Sequence, residues 1–508
     1  MNERMKKFYL VLVVGLVLAF TAGIAIQGVR SAFSKEELKG ELTIAVWGDI
    51  GSNPKHGSYG FHLLCQDWAK ANPGVTLKYE INPGKTVPDR YTWIRTRMMA
   101  KALPDVVMIY WGAEETRDPK LMHDFTPDLS KSNPYSTNPT WRDDFPGKGS
   151  LLEEFRIPTG EYTVVGPTQY GDAAVTCVIY NKTIFDKVGL KIPNTWSEFI
   201  EVQKKLKSAG YTPFFQPTAG PQGWLLQWPS YQFTDDLLDE VIKKADHKID
   251  ESDVGQPNGM ISLKEMCWAI KTGLFKATDP RYAEVFRIIN DWSKYWQEGF
   301  LAPPPPGDPF LRQEVVMQHH MNLWNARYED NPEVKFEWGT FSLPKLDKNA
   351  SKYANGIFRC VGSGGRSGSV NQLVMIPKTT IEKGNFKLAL DLCHFLTAPV
   401  NVAKWCQGQP LPCFEPGTPI QKVFPNDPVK QIHYYGFFQN GCLNMGHRLF
   451  QFQTLSPDTE IQSFKVAQEY LGDKISLEEA MKKMQELIER EVDKKIRQHP
   501  EWKAENWR

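Results

Sequence analysis

Tyr180-Asn181-Lys182-Thr183-Ile184-Phe185-Asp186-Lys187-Val188-Gly189-Leu190 is followed, after one residue, by Ile192-Pro193-Asn194-Thr195-Trp196-Ser197-Glu198-Phe199. Residues 174–180 before it read as a strand, a short apolar run, and 196–208 read as a helix. Asn181, just past the strand, can tie the loop backbone through its amide, and Thr195 can cap the helix begun by Trp196.

Toward the N-terminus the same alternation recurs. Leu42-Thr43-Ile44-Ala45-Val46 is a buried strand, and 59–71 carry helical spacing stopped by Asn72-Pro73-Gly74. Val75-Thr76-Leu77-Lys78-Tyr79 is the next strand, and a helix over 90–102 ends before Pro104. Asp105-Val106-Val107-Met108-Ile109 is a third strand; Pro104 lacks the N–H for a ladder bond and marks where it begins. Strand, helix, strand, helix, strand predicts a parallel sheet covered by helices.

Toward the C-terminus, a helix over 281–297 puts Tyr282, Val285, Phe286, Ile289, Trp292 and Trp296 on one face, the spacing of a buried stripe. Pro303 to Pro306 is a stiff extended connector. Ser476 and Glu479 form a capping box before the stripe Ala480, Met481, Met484, Leu487 and Ile488. No repeat appears at solenoid or propeller periods.

Composition narrows the class. With 508 residues, two or three folded units are expected. Hydrophobic residues at 41% and charged residues at 23% are ordinary globular usage, which excludes a disordered or collagen-like chain. Lys+Arg 60 against Asp+Glu 59 leaves a net charge of +1, without the basic excess that nucleic acid demands. Aromatics reach 12%, with 16 Trp, an excess that can cover a core or, in a cleft, the apolar face of a sugar.

Arg4, Lys6 and Lys7 precede an uncharged apolar run over 8–26, which as a helix spans roughly 28 Å, near the thickness of a bilayer core. The run fits an uncleaved anchor or, with small residues at Thr21-Ala22-Gly23 and Val29-Arg30-Ser31, a cleaved secretory signal. Either way the remainder is exported, as a membrane-anchored or secreted protein. A lipoprotein signal needs a Cys just after the run, and the first is Cys65. The other Cys are Cys177, Cys267, Cys360, Cys393, Cys406, Cys413 and Cys442, with no CxxC pair to suggest zinc or redox chemistry. Cys393 shares a helical stripe with Phe386, Ala389 and Leu396 and reads as a buried thiol, while Cys406 and Cys413 are the best candidate bridge.

Catalytic motifs fail on their spacing. Gly84-Lys85-Thr86 lacks the earlier Gly of a phosphate loop, where Tyr79 stands. Gly362-Ser363-Gly364-Gly365-Arg366-Ser367-Gly368 has Ser367 in place of the third Gly of a dinucleotide loop, and no Ser there has Gly two places to either side. His319 and His320 are adjacent, so on a helix they diverge and do not share a metal. Acid pairs such as Glu114 and Glu115 are plentiful, but a glycosidase needs two carboxylates about 5 to 9.5 Å apart across a bond. No catalytic residue, metal site or cofactor is expected.

The 180–199 stretch closely resembles the YNK-x-x-F-x-x-x-GL…P-x-TW-x-EF segment of extracellular solute-binding proteins of carbohydrate ABC importers, family 1, like the maltose-binding protein. Asn72-Pro73-Gly74-Val75, Pro104-Asp105-Val106-Val107 and His123-Asp124-Phe125-Thr126-Pro127 resemble further family features in order. Glu314 to Trp324 is similar to the family's AAM-to-W segment, with Val315-Val316-Met317 and Asn322-Leu323-Trp324. The resemblance covers most of 41–500.

It implies a two-lobed α/β fold of the periplasmic-binding-protein type II, each lobe a mainly parallel sheet covered by helices, with a hinge between. Residues 1–40 are then signal or anchor and linker. Lobe 1 takes 41–168 and 343–398, and lobe 2 takes 169–342 and 399–508. Chain crossings are expected near 166–176, 341–345 and 397–400.

Ligand in open parallel sheets binds beyond the carboxyl ends of strands, which selects Trp47, Gly48 and Asp49 after the first strand and Tyr110, Trp111 and Glu114 after the third. Trp47 and Trp111 would stack on a pyranose face, while Asp49, Glu114, Asp172 or Arg366 would hydrogen-bond its hydroxyl rim. One of Trp224 and Trp228, at i,i+4 spacing, is expected in the cleft, and so is Trp324 by its match to the family segment. Trp68, Trp93 and Trp268 sit on helices and read as core. By the resemblance the chain is a monomeric, non-enzymatic receptor. Its partners would be a carbohydrate ligand, ABC permease subunits and, through an uncleaved N-terminal segment, the membrane; no nucleic acid is expected. A receptor presenting sugar to a membrane kinase, a secreted carbohydrate-active enzyme, and a polyamine or cation binder are the rival readings. The last would need convergent carboxylates.

Overall fold

The computed structural model describes residues 37–47, 58–84, 87–109, 118–145, 152, 157, 161–166, 174–219, 226–246, 261–304, 306–329, 331–357, 362–363, 373–405, 419–438 and 455–508. In chain order it begins with β1 Gly40–Trp47, α1 Tyr59–Ala71, β2 Val75–Asn82, α2 Val87–Met99, β3 Val106–Ile109 and α3 Thr126–Leu129. Then come β4 Ala174–Asn181, α4 Lys182–Val188, α5 Trp196–Ser208, β5 Phe214–Phe215, α6 Gln227–Leu237, α7 Asp239–Ala245, α8 Leu263–Lys271 and α9 Pro280–Ser293. Strands β6 Met317–Met321, β7 Trp338–Phe341, β8 Gly362–Ser363 and β9 Leu373–Met375 follow. The remainder is helical: α10 Lys378–Glu382, α11 Phe386–Thr397, α12 Pro399–Trp405, α13 Ile420–Val423, α14 Pro428–Phe438, α15 Pro457–Leu471 and α16 Leu477–Gln498.

Lobe 1 is built on a sheet in the order β2-β1-β3-β9. β1 runs parallel to β2, from Gly40 opposite Val75 to Trp47 opposite Asn82, and parallel to β3 with Ile44 opposite Val106. The strand-helix-strand-helix-strand reading therefore holds here, and the helical crossovers are what make these strands parallel. β9 closes the edge antiparallel to β3. Every residue of β3 is buried, as expected for a strand covered on both faces. α1 turns Phe61, Leu64, Cys65 and Trp68 inward, and Asn72 stops it by donating its side-chain amide to the Trp68 carbonyl at 2.8 Å. Asp105 accepts from the Thr43 N–H at 3.0 Å and from the Asn385 amide at 3.1 Å, tying β1 to the start of α11. Cys393 on α11 is a buried free thiol in the same core.

Lobe 2 departs from the mainly parallel arrangement. Its sheet runs β5-β6-β4-β7, with β8 also on β4. β4 is antiparallel to β6, β7 and β8, while β5 and β6 are parallel. The cause lies in the connections. β4 is entered from lobe 1 rather than through a βαβ unit, so no helical crossover aligns it with its neighbours; the parallel pair β5 and β6 is the one joined through α6 to α9.

The capping signals of 180–199 act as read. Asn181 accepts from the Ile184 N–H at 3.0 Å, and Thr195 and Glu198 form a reciprocal capping box on α5. α5 then packs Trp196 and Phe199 on Trp292, whose indole N–H donates to Gln203 at 3.0 Å. The α9 stripe is core as expected, although the helix ends at Ser293 and Trp296 is buried from the following turn, bridged to Phe214. Trp68 and Trp268 are buried; Trp93 is half-buried with the Arg97 guanidinium over its ring. Ser476 caps α16 by accepting from the Glu479 N–H.

Val165 still bridges Val374 in lobe 1 and Thr176 pairs with Met321 in lobe 2, so the chain changes lobes between them. The other two expected boundaries are displaced. Leu343, Leu346 and Ala354 pack in the lobe 2 core and β8 pairs with β4, so the return falls after Ser363 and before Leu373, not at 341–345. Trp405 is buried in the lobe 1 core, 5.3 Å from the Phe61 ring, so α12 stays with lobe 1 rather than starting lobe 2 at 399. The contact requires Gly60, where an added Cβ would lie 2.1 Å from the Trp405 carbonyl oxygen. α14 is back on lobe 2, where His433 stacks on Trp338 at 3.6 Å and 11°.

Among the described residues no helix is long and apolar enough to cross a membrane. Residues 1–36, which carry the 8–26 run, lie outside the described residues, as do Cys406 and Cys413.

Candidate functional site

Of the expected ligand residues, Asp49, Trp111, Glu114, Asp172, Trp224 and Arg366 lie outside the described residues. Trp47 ends β1 in register with Asn82, and β1 and β3 finish side by side, with Ala45 opposite Val107. Trp228 is buried on α6, with its ring 6.0 Å from Tyr231. Trp324 lines a cavity.

That cavity grows from the end of β6. Met321 pairs with Thr176, so the carboxyl end of β6 lies beside the start of β4, where the chain arrives from lobe 1. Asn322–Arg327 then forms a short 3-10 turn that carries Trp324. Strand alternation sends the adjacent His319 and His320 to opposite faces, so their divergence comes from a strand and not from a helix. His320 is fully buried and contacts Asn325 Oδ1 through Nε2 at 2.9 Å; the Asn325 amide donates to the His433 carbonyl at 3.1 Å, locking the turn. Burial pushes the His320 imidazole down to about 3, against the hydrogen bond to Asn325, so it is neutral at physiological pH.

Beside this turn lies a cavity of about 330 Å³ lined by Phe215, Asp308, Leu311, Gln318, His319, Trp324, Arg327, Tyr328 and Asn331. Its polar groups are held in place. The Tyr328 hydroxyl donates to Asp308 and accepts from the Gln318 amide at 2.9 Å. Asp308 also accepts from the N–H groups of Phe310 and Leu311 at 3.0 and 3.1 Å. His319 meets Gln216 at 3.1 Å. Burial, with the neighbouring Asp308 carboxylate, pushes the Tyr328 phenol well above its ordinary range, so it stays a donor. Trp324 is half-buried, 5.6 Å from the His320 ring at 75°, and the Arg327 guanidinium lies 4.7 Å from its centroid. An indole beside fixed amide and hydroxyl groups and an exposed guanidinium suits a ligand with one apolar face and a polar rim. Among the described residues no group of three or more His, Cys, Asp or Glu is placed to hold a metal ion.

Sequence reasoning missed Asp308, Gln318, Arg327 and Tyr328. Asp308 follows a stretch read as a connector, and Gln318 lies on a strand that was not recognised. Tyr328 stands four residues after Trp324, a spacing that could have flagged it.

A second cavity, of about 60 Å³, lies in the helical layer among α6, α9, α15 and α16. It is lined chiefly by apolar side chains such as Leu226, Phe286, Ile289 and Leu471. At its edge Glu460 accepts from the Gln227 amide and lies 3.5 Å from the Tyr231 hydroxyl.

Residues 53–270 match the family described as bacterial extracellular solute-binding protein. The multiple sugar-binding protein of Streptococcus mutans serotype c is 30% identical over 361 residues, 71% of this chain and 73% of that protein. The cyclic alpha-maltosyl-1,6-maltose binding protein of Arthrobacter globiformis superposes with a TM-score of 0.59 at 16% identity, over 90% of this chain and 99% of its own. Maltose-bound MalE3 of T. maritima gives 0.56 at 17% identity, over 89% and 99%. At these identities the structural likeness is one of fold, and it is the two-lobed α/β fold described above.

Proposed function

The chain belongs to the bacterial extracellular solute-binding proteins, and on that footing we propose that it captures a sugar or oligosaccharide between its lobes and delivers it, unaltered, to an ABC permease. The observation that carries this reading is the cavity at the end of β6, where Trp324 stands beside fixed polar groups next to the passage between lobes. A pyranose would lay its C–H face on the indole and present hydroxyls to Gln318, Asn331 and Tyr328. Hydrogen bonds between neutral groups contribute about 0.5–1.5 kcal/mol each, so several together suffice to select stereochemistry. Trp47, Asp49, Trp111, Glu114, Asp172, Trp224 and Arg366 would complete the grip.

Ligand that touches both lobes only when they approach shifts the population toward the closed state. The closed form then docks on the permease, and ATP hydrolysis occurs in a separate subunit. The multiple sugar-binding protein of S. mutans supports a sugar as ligand. The family is extracellular, and the apolar run over 8–26 would serve as its anchor or export signal.

Calorimetry of the purified chain against a panel of oligosaccharides tests this. Saturable binding with the sugar recovered intact is expected. Accumulating cleavage products, or heat from no member of the panel, would contradict it.

A further inference from the structure

Resting on the reading of the Trp324 cavity as a sugar site, we propose that its ligand is an acidic sugar whose uronate carboxylate is read by Arg327. The charges of the cavity lead there. Asp308 is spoken for, accepting from the N–H groups of Phe310 and Leu311 and from the Tyr328 hydroxyl. Arg327, by contrast, has no carboxylate partner among the described residues; its side chain is exposed and its guanidinium rests over the Trp324 ring. The cavity thus holds one carboxylate already tied by neutral donors and one guanidinium with no ion-pair partner among the described residues, beside the ring that would stack a pyranose.

Position sharpens the point. The guanidinium lies over an indole face, so a sugar that stacks there has to displace it or engage it. A neutral sugar offers in return only single hydroxyl acceptors without charge. A uronate offers two coplanar oxygens that match the flat guanidinium fork, a charge-assisted bidentate pair stronger than the contact given up. The carboxylate therefore draws Arg327 off the indole and clears the ring for the C–H face of the same sugar. The Asn331 amide donates to the Arg327 carbonyl at 2.8 Å, so the backbone stays fixed while the side chain swings.

The test is a calorimetric titration of the purified chain with matched pairs. Trigalacturonate, trimannuronate and glucuronate-substituted xylotriose are each compared with their methyl esters, alongside neutral gluco-, galacto- and xylo-oligosaccharides. At least one acid is expected to bind roughly tenfold to a hundredfold tighter than its ester, and less tightly as salt rises. Arg327→Gln should erase the difference between acid and ester, and Arg327→Lys should restore part of it. Trp324→Ala should weaken acid and ester alike, and thermal melts of each variant confirm folding. Equal affinity for acid and ester, a preference that survives Arg327→Gln, or binding confined to neutral sugars would overturn the inference while leaving the sugar reading intact. Binding of neither acids nor neutral sugars would defeat both.

Discussion

Trp68 donates its indole N–H to Asp391 at 2.8 Å, joining α1 to α11 across 323 positions of sequence. The Tyr135 hydroxyl donates to the same carboxylate oxygen at 2.6 Å. One carboxylate therefore ties together three segments of lobe 1, including the part of the chain that returns after lobe 2 is built. Asp391→Ala should lower stability by about 1–3 kcal/mol by leaving two part-buried donors without their acceptor. Trp68→Phe, which keeps a ring in place, should cost only about 1 kcal/mol beyond the lost ring volume. Urea unfolding of the two variants measures both losses, and an Asp391→Ala protein as stable as the wild type would contradict the tie.

The capping box at α5 makes a separate claim. Thr195→Ala removes the side chain that accepts from the Glu198 N–H and should cost about 1 kcal/mol, while Thr195→Ser should retain most of that. Thermal unfolding followed by circular dichroism reads the difference; equal melting of all three proteins would show that the box is idle.

Glu460 gives lobe 2 a pH dependence of definite sign. Burial pushes its carboxyl up to about 7, against the hydrogen bonds from Gln227 and Tyr231 that join α15 to α6. Because the folded value exceeds the ordinary carboxylate value near 4.5, the folded state retains a proton that the unfolded chain has released between those limits. The contribution is full below about 4.5 and is lost as pH rises to about 7. Denaturation at pH 5 and pH 7.5 should show the wild type losing on the order of 1–2 kcal/mol relative to Glu460→Gln over that interval.

His320 slopes the other way. Its folded value, about 3, lies below the ordinary 6.5, so its contribution is present above 6.5 and is lost as pH falls toward 3. Nuclear magnetic resonance of labelled imidazoles should find His320 neutral at pH 5. A His320 that titrates near 6.5 would mean that the turn carrying Trp324 is not sealed as described.

Helix positions were legible because their signals are local. Asn72-Pro73-Gly74 stops α1, and Thr195 with Glu198 starts α5, so 59–71 and 196–208 were readable residue by residue. Strand direction in lobe 2 was not, because apolar periodicity is the same for a parallel and an antiparallel strand. The lobe boundaries slipped for a related reason: that Leu346 stays in one core and Trp405 joins the other depends on contacts far away in sequence. At the site, Trp324 was reachable through a resemblance. Arg327 and Tyr328 were not, since a charged and a polar aromatic residue after a strand read as ordinary surface until the fold sets them around one cavity.

The most direct test of the whole account combines calorimetry with small-angle scattering on one purified sample, with and without the tightest-binding oligosaccharide. The account expects one saturable site, a radius of gyration that falls on binding, loss of most affinity in Trp324→Ala, and sugar recovered whole by mass spectrometry. Cleaved sugar, or affinity untouched by Trp324→Ala, would contradict it.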